Sequence, residues 1–539
     1  MRSGWPLGLC VALILYAVVA LTSGRAVGVV GEVDIGWALS EPPKVLTQWA
    51  PQGTSEAGGN AGPLEARQTR PMESLVVGST RLPLAINAYT GGAADWPARV
   101  ARALTGERSA GVAVHLLLGG VLILLAHRFL RFHGTPTAAG AAALLLASDW
   151  VFVFFKRVLG GTEILLQAAG LLVVWALWSR RWKGGRHGTI ALALGVGLGI
   201  GAKVTFVATL VAFGVAALLT RWDRPRVKPP ERVNWVVLAG LPLICVSPLL
   251  LSWAHHHGLG EGPQVVSHDT LNLQLSRLRS GAHLDRESLE NLWRFLGNSL
   301  GWLHDAWGTP YTAALSAPRV LTFAVAMAGA VLEWRTRTHS PSAALLRFLS
   351  LAVPLQVALL FLLNRDLHHL AQASVPLACL VALGADRVAG EVANQRSFLR
   401  PAVTALLIFP AVLVGVQQLR RTDAHVNAAR AHTFTTNGQT ALVDLLRTHH
   451  VSRLVVTDYE LYGMLEQIVP EIEVTHGWGA VSRKDRSVEG LRAVAAGGHY
   501  LSVAASQPMI YNWRAVGVGV QVGVVSDGSS NWAELYRVD

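Results

Sequence analysis

Two carboxylates, Glu32 and Asp34, stand one residue apart just beyond the first long apolar run of the chain. A carboxylate at the centre of a bilayer is disfavoured by roughly 3 kcal/mol on insertion scales, so one beside an apolar run is solvated, paired or used. In an extended segment, side chains two positions apart point the same way, and the pair would present its oxygens together. Lone cations recur near the ends of later apolar runs. Lys156 and Arg157 precede Glu163, Lys203 closes Gly199-Ile200-Gly201-Ala202-Lys203, and Arg365 leads into His368 and His369. Fixed cations stabilise the charge that grows on a departing phosphate, and a carboxylate can take the proton of an incoming hydroxyl or amine. Such groups, set in a wall of hydrocarbon, suit group transfer from a lipid-linked phosphate.

Each of these residues also has a purely structural explanation. Glu32 and Asp34 would do equally as solvated loop carboxylates, and Lys203 as a lysine snorkelling to the interface. Arg157 and Glu163 could form an ion pair, while Arg365, His368 and His369 could be a polar cap. Asp149, at the outer end of the third apolar run, fits either a structural role or the lining of a cavity. The run His255-His256-His257, with His268 and His283 nearby, lacks a Glu-x-x-His pattern or paired cysteines, so no metal site is assigned. No Gly-x-Ser-x-Gly context supports Ser-His-Asp catalysis. Cys10, Cys245 and Cys379 fall in apolar runs and offer neither a disulfide framework nor metal spacing.

The elements that must position these groups are membrane helices. The 539 residues are 51% hydrophobic and 15% charged, with a mean hydropathy of +0.38. Those values exclude a disordered chain and argue against an ordinary soluble globule. The net charge of +12 lies in short clusters between apolar runs and forms no basic stripe with interleaved aromatics, so nucleic acid is excluded as a partner. Apolar runs near 5–23, 109–130, 136–155, 162–178, 188–203, 204–220, 233–253, 317–334, 344–363, 367–386 and 400–417 give about eleven spans. Basic clusters at 128–131, 180–186, 221–228, 335–347 and 387–400 occupy alternate connections, which places them inside. The pattern requires 188–220 to cross twice, about Lys203. It leaves the amino terminus cytoplasmic and the carboxyl terminus external. A cleaved signal peptide is the alternative for the first run, whose length favours a retained span.

The expected architecture is therefore an α-helical polytopic membrane protein with an external α/β domain. Residues 1–417 form the transmembrane part, with outer loops at 24–108 and 254–316. Within the second loop, Leu289, Leu292, Trp293, Leu296 and Leu300 follow helical spacing behind Asp285, predicting a helix that lies on the outer membrane surface or packs against the external domain. Residues 418–539 form the external domain, with a helix at 438–449 and strands at 454–456, 500–504, 520–525 and 533–538. No glycine-rich phosphate loop opens its helices.

Together these features resemble the membrane-embedded GT-C glycosyltransferases, especially the family 39-like relatives of protein mannosyltransferases and aminoarabinose transferases. Glu32-Val33-Asp34 is similar to their acidic pair after span one. Pro83 and Asn87-Ala88-Tyr89-Thr90-Gly91 resemble a Pro and Asn-x-Tyr-x-Gly pattern ahead of span two. Lys156 to Glu163, the Gly-x-Gly-Ala-Lys203 turn, and Arg365-Asp366-Leu367-His368-His369 followed by Pro376 look like the corresponding outer turns and late-span motif. The resemblance implies a GT-C-like fold, a polyprenyl-phosphate sugar donor, inversion at the anomeric carbon, and Asp34 or Glu32 as general base. It implies phosphate binding by Lys203, Arg157, Lys156 and Arg365, and substrate positioning by His368, His369, Asn87, Tyr89, Asp149 and Glu163. Many relatives have adjacent Asp-Glu, whereas Val33 intervenes here, so both carboxylates stay open as the base.

No motif demands a cofactor; a divalent cation is compatible with the chemistry and not dictated by it. The implied partners are the bilayer, a polyprenyl-phosphate-linked sugar and an acceptor that is protein, lipid or glycan. Ala-, Gly- and Arg-rich usage suggests a high-GC bacterium and its inner membrane. Two other classes compete. A transporter or flippase would show paired repeats with charges near the midplane, whereas the charges here gather at one face. A scaffold would act only through residues 418–539.

Overall fold

In hydrocarbon an apolar run satisfies its own backbone by becoming helical, and each of the long runs does so. The computed structural model describes residues 7–22, 74–77, 80–87, 90–105, 108–153, 161–182, 186–220, 235–258, 313–363, 367–393, 398–428, 436–456, 465, 469, 471–476, 488–503, 519–526 and 531–539. Glu32, Asp34, Tyr89, Lys156, Arg157, Arg365 and the expected 285–300 surface helix lie outside the described residues.

Helix α1 (Leu7–Thr22) precedes strands β1 (Ser74–Val77), β2 (Thr80–Pro83), β3 (Ala85–Asn87) and β4 (Thr90–Gly91). A 3-10 turn at Ala93–Asp95 leads to α2 (Trp96–Thr105), α3 (Arg108–His133) and α4 (Pro136–Ser148). Next come α5 (Gly161–Trp182) and α6 (Arg186–Ala202). A 3-10 turn at Val204–Phe206 opens α7 (Val207–Leu219), and α8 (Trp235–Gly258) follows. Helices α9 (Ala313–Thr336) and α10 (Pro341–Leu363) precede a 3-10 segment, Leu367–Ala373, then α11 (Ser374–Val392) and α12 (Arg400–Ala428). The chain closes with α13 (Thr436–Thr448), β5 (Arg453–Val456), β6 (Glu473–His476), α14 (Val488–Ala495), β7 (Gly498–Val503), β8 (Val520–Ser526) and β9 (Asn531–Val538).

Among the described residues, five helices are long and apolar enough to cross a membrane, and six shorter apolar helices accompany them. Helix α1 is built into the bundle: Leu9, Ala12 and Tyr16 are buried, and the Tyr16 hydroxyl donates to the Leu116 carbonyl at 2.8 Å.

Two expected spans differ in detail. The third, expected over 136–155, ends as α4 at Ser148, because Asp149 leaves the helix and caps the next turn. The tenth, expected from residue 367, opens as a 3-10 segment and becomes α-helical only at Ser374. Pro376 lacks an amide hydrogen and suits the first turn of a helix, which fixes that start.

The chain divides into two compact units. The first contains residues 89–305 and 310–421 together with the first helix; the described parts of the second lie at 74–87 and from residue 422 onward. In the second unit, β1 and β2 pair antiparallel, and β5 to β9 form a sheet in the order β6-β5-β7-β9-β8. β5 lies parallel to β6 and β7, while β9 runs antiparallel to β7 and β8. Alternation along β5 sorts the core onto two faces. Leu454 and Val456 pack with Leu442 and Leu446 of α13, whereas Val455 packs with Ala495 of α14. Strand β6 and helix α14 are additions to the elements expected from sequence.

One end of the helical unit is tied by ion pairs. Glu333 of α9 meets Arg347 of α10 at 2.9 Å and Arg387 of α11 at 2.9 Å, and its carboxylate also accepts from the Thr338 hydroxyl and amide. Glu333 and Arg347 are each 1% exposed. Arg387 also pairs with Glu391. Arg400 of α12 grips Asp386 of α11 through two bonds of 2.7 and 2.6 Å. The Thr135 hydroxyl donates to the same carboxylate at 2.6 Å and accepts from the Ala138 amide as the N-cap of α4, with Pro136 in the first turn. Three arginines that read as topology signals in the sequence are thus structural cross-links.

Candidate active site

The opposite end of the same unit is where α4 stops, α5 starts, α6 breaks and α11 begins. Besides the break at Asp149, the described backbone here leaves regular α-helix at three places.

The first is Lys203. Extended backbone (φ −159°, ψ 124°) separates α6 from the Val204–Phe206 turn, and the lysine amide still bonds to the Gly199 carbonyl at 2.9 Å. Lys203 is fully buried, so the snorkelling alternative, which needs the ammonium in water, does not apply. Strand β4 approaches this corner so closely that a Cβ on Gly91 would collide with the Gly201 carbonyl. A Cβ on Gly201 would in turn press on the Cys245 carbonyl of α8. The Gly91 end of the Asn-x-Tyr-x-Gly stretch and the Gly-x-Gly-Ala-Lys203 turn, far apart in sequence, are therefore brought together. Asn87 itself ends β3.

The second is the Ala93–Asp95 turn just after β4, which packs against α5 and α6. Asp95 is 1% exposed, and the His115 Nε2 of α3 stands 3.7 Å from its Oδ1. Arg99, one turn along α2, is also buried. Sequence reasoning missed this polar cluster. Its signal in the sequence is Asp95 and Arg99, four apart just after Gly91-Gly92-Ala93-Ala94. Glu163, in the first turn of α5, is buried too, where a carboxylate is favoured by the amino end of the helix.

The third is the Leu367–Ala373 segment, whose backbone includes His368 and His369. Gln167 of α5, one turn beyond Glu163, donates through Nε2 to the Ala371 carbonyl at 2.8 Å. Thr209 of α7 donates to Gln372 Oε1 at 3.3 Å and accepts from Gln356 Nε2 of α10 at 3.0 Å. These polar residues were also missed in the sequence, although isolated glutamines inside apolar runs are a readable signal.

Asp149 stands near Ser374, the first residue after that segment, and the two line one small cavity of about 40 Å³ with Arg319, Thr322 and Phe323. Asp149 Oδ1 accepts from the Phe152 amide at 2.7 Å, and Oδ2 receives Arg319 Nη2 at 2.6 Å. Asp149 is therefore both structural and cavity-lining. Its partner Arg319 was not picked out from the sequence. Among the described residues, no group of three or more His, Cys, Asp or Glu side chains could hold a metal ion.

A family model described as dolichyl-phosphate-mannose-protein mannosyltransferase matches residues 93–253, a stretch containing Asp149, Lys156, Arg157, Glu163 and Lys203. No curated protein matches the sequence. Among solved structures, the chain is similar to ArnT from Cupriavidus metallidurans in the apo state, with a TM-score of 0.54 and 13% identity. That likeness covers 98% of this chain and 97% of the other. ArnT from the same organism bound to undecaprenyl phosphate is similar at TM-score 0.54 and 13% identity, over 99% and 98% of the two chains. The fold is that of the GT-C superfamily membrane glycosyltransferases: a multi-pass helical membrane protein with a small sheet near its carboxyl terminus.

Proposed function

We propose that this protein is a membrane glycosyltransferase that moves a sugar from a polyprenyl-phosphate donor to an acceptor at the outer face of the membrane. The observation that carries this reading is the end-to-end likeness to a protein whose solved structure holds undecaprenyl phosphate. The gathering of Lys203, Glu163 and the 367–373 segment at one end of the helical unit agrees with it.

In the proposed reaction, an acceptor hydroxyl or amine attacks the anomeric carbon from the side opposite the phosphate. The bond from that carbon to the phosphate oxygen breaks, its electron pair stays on the phosphate, and the sugar is inverted. Asp34 or Glu32 takes the acceptor proton. Lys203, with Lys156, Arg157 and Arg365, holds the charge that grows on the leaving phosphate. His368, His369, Asn87, Tyr89, Glu163 and Asp149 position the substrates. Lys203 is suited to its part because it is buried, and low-dielectric surroundings strengthen its attraction for a phosphate.

The same reading puts the Glu333–Arg347–Arg387 end in the cytoplasm. It places residues 418–539 outside an inner membrane as a separate domain, with residues 1–417 carrying the chemistry. Incubating the purified protein with a panel of polyprenyl-phosphate sugars, with and without a chelator, tests it. Free carrier should be released, and the chelator arm reports any divalent-ion requirement. Asp34→Asn or Glu32→Gln should abolish release while the protein still inserts and folds. Full turnover in both variants would remove the carboxylate base. Movement of intact donor between leaflets without consumption would make the protein a flippase.

A further inference from the structure

We infer that Gln167, Thr209, Gln356 and Gln372 form a hydrogen-bonded clamp that sets the position of the Leu367–Ala373 segment, making them positioning residues for the lipid-phosphate ligand; this rests on the transferase reading above. A 3-10 helix has poorer hydrogen-bond geometry than an α-helix, and runs beyond three or four residues are uncommon. This one spans seven residues, so it needs support from outside itself.

The support comes from three helices at once. Gln167 reaches from α5 to the Ala371 carbonyl, and Thr209 reaches from α7 to the Gln372 side chain. Gln356 of α10 donates to Thr209, which fixes the hydroxyl as donor toward Gln372. All four side chains are buried, with exposures of 0, 0, 0 and 1%. Uncharged polar groups buried between apolar helices are unfavourable unless hydrogen-bonded, and leucine would fill the same space more simply. Gln167 and Thr209 reach one short segment that supplies Gln372, Gln356 joins through Thr209, and that segment bears His368 and His369 in its first turn.

Position is the property that such a clamp controls. Removing a single hydrogen bond would let the segment drift without unfolding the bundle, because each helix keeps its apolar contacts.

The test is binding of undecaprenyl phosphate, without a sugar, to the full-length protein in nanodiscs. Gln167→Leu, Thr209→Val and His369→Ala are compared with the wild type and with the Gln167→Leu/His369→Ala double variant. Gln167→Leu and Thr209→Val should each weaken binding roughly three- to tenfold. The double variant should be no weaker than its more affected parent, because both changes act through one segment.

Additive losses in the double variant would mean a general structural role and overturn the clamp. Wild-type binding by Gln167→Leu and Thr209→Val, with His369→Ala weakened, would overturn it while leaving the transferase reading intact. If His369→Ala and Lys203→Met both bind normally, the transferase reading fails and the clamp with it. Thr209→Val, nearly isosteric, carries the test if Gln167→Leu does not fold.

Discussion

Glu333 and Arg347 at one end of the helical unit are as deeply buried as Lys203 and Glu163 at the other, yet the two ends are built differently. At the first end, α9, α10, α11 and α12 are joined to one another by carboxylates and guanidinium groups that neutralise each other. At the second, helices are interrupted at Asp149, at Lys203 and over 367–373, and the ties are mostly amides and hydroxyls. Non-helical backbone at membrane depth is tolerated where it is enclosed by protein or lines a cavity. Buried charge alone therefore does not mark a site. The cross-linked end binds helix to helix through its ion pairs. The interrupted end is where short segments carry charged and polar groups to one corner.

Substitutions that separate stability from chemistry sharpen this contrast. Glu333→Ala should have the largest effect, since it removes the buried carboxylate that pairs with both Arg347 and Arg387. About 3–5 kcal/mol of stability should be lost, measured as a fall in the thermal unfolding midpoint in detergent. The carrier affinity of the molecules that remain folded should be unchanged. Lys203→Met should do the reverse. Carrier release should fall roughly 10²–10³-fold, the scale of losing one fixed stabiliser of a developing charge. Its unfolding midpoint should drop less than that of Glu333→Ala, and equal drops would erase the distinction between the ends. Asp149→Ala removes both a cap and the partner of Arg319. A loss of about 1–2 kcal/mol is expected in the same melts. Gln356→Leu should be the mildest. Its Oε1 has no hydrogen-bond partner among the described residues, so an apolar replacement of similar size should shift stability by less than about 1 kcal/mol.

Much of the helical architecture was legible because hydropathy is a local property. The runs at 109–130, 344–363 and 400–417 became α3, α10 and α12, and the break at Lys203 was readable from a cation between two apolar runs. The small α/β domain was legible for the same reason, since alternation in β5 and the apolar face of α13 lie within single elements. What escaped was non-local. The bond from Thr135 to Asp386 joins residues 251 apart in sequence, so nothing near either one announces it. Arg347, Arg387 and Arg400 read in the sequence as loop charges, and their carboxylate partners lie on neighbouring helices. The 3-10 segment at 367–373 is apolar enough to pass for the start of a span. Pro376 marks where the α-helix can begin, and the bonds to Gln167 and Thr209 hold the segment before it. At the candidate site, Lys203, Glu163 and Asp149 stand out in the sequence by residue type alone. Asp95, His115, Gln167 and Arg319 do not, because what singles them out is what they face.

The contrast between the two ends can be tested by where a lipid phosphate lands. A photoreactive polyprenyl-phosphate analogue, crosslinked to the purified protein in nanodiscs and mapped by peptide mass spectrometry, should label residues 199–206 and 367–373. Excess unlabelled undecaprenyl phosphate should suppress that labelling. Adducts confined to 333–347 and 386–400 would put the ligand at the ion-paired end and contradict the account.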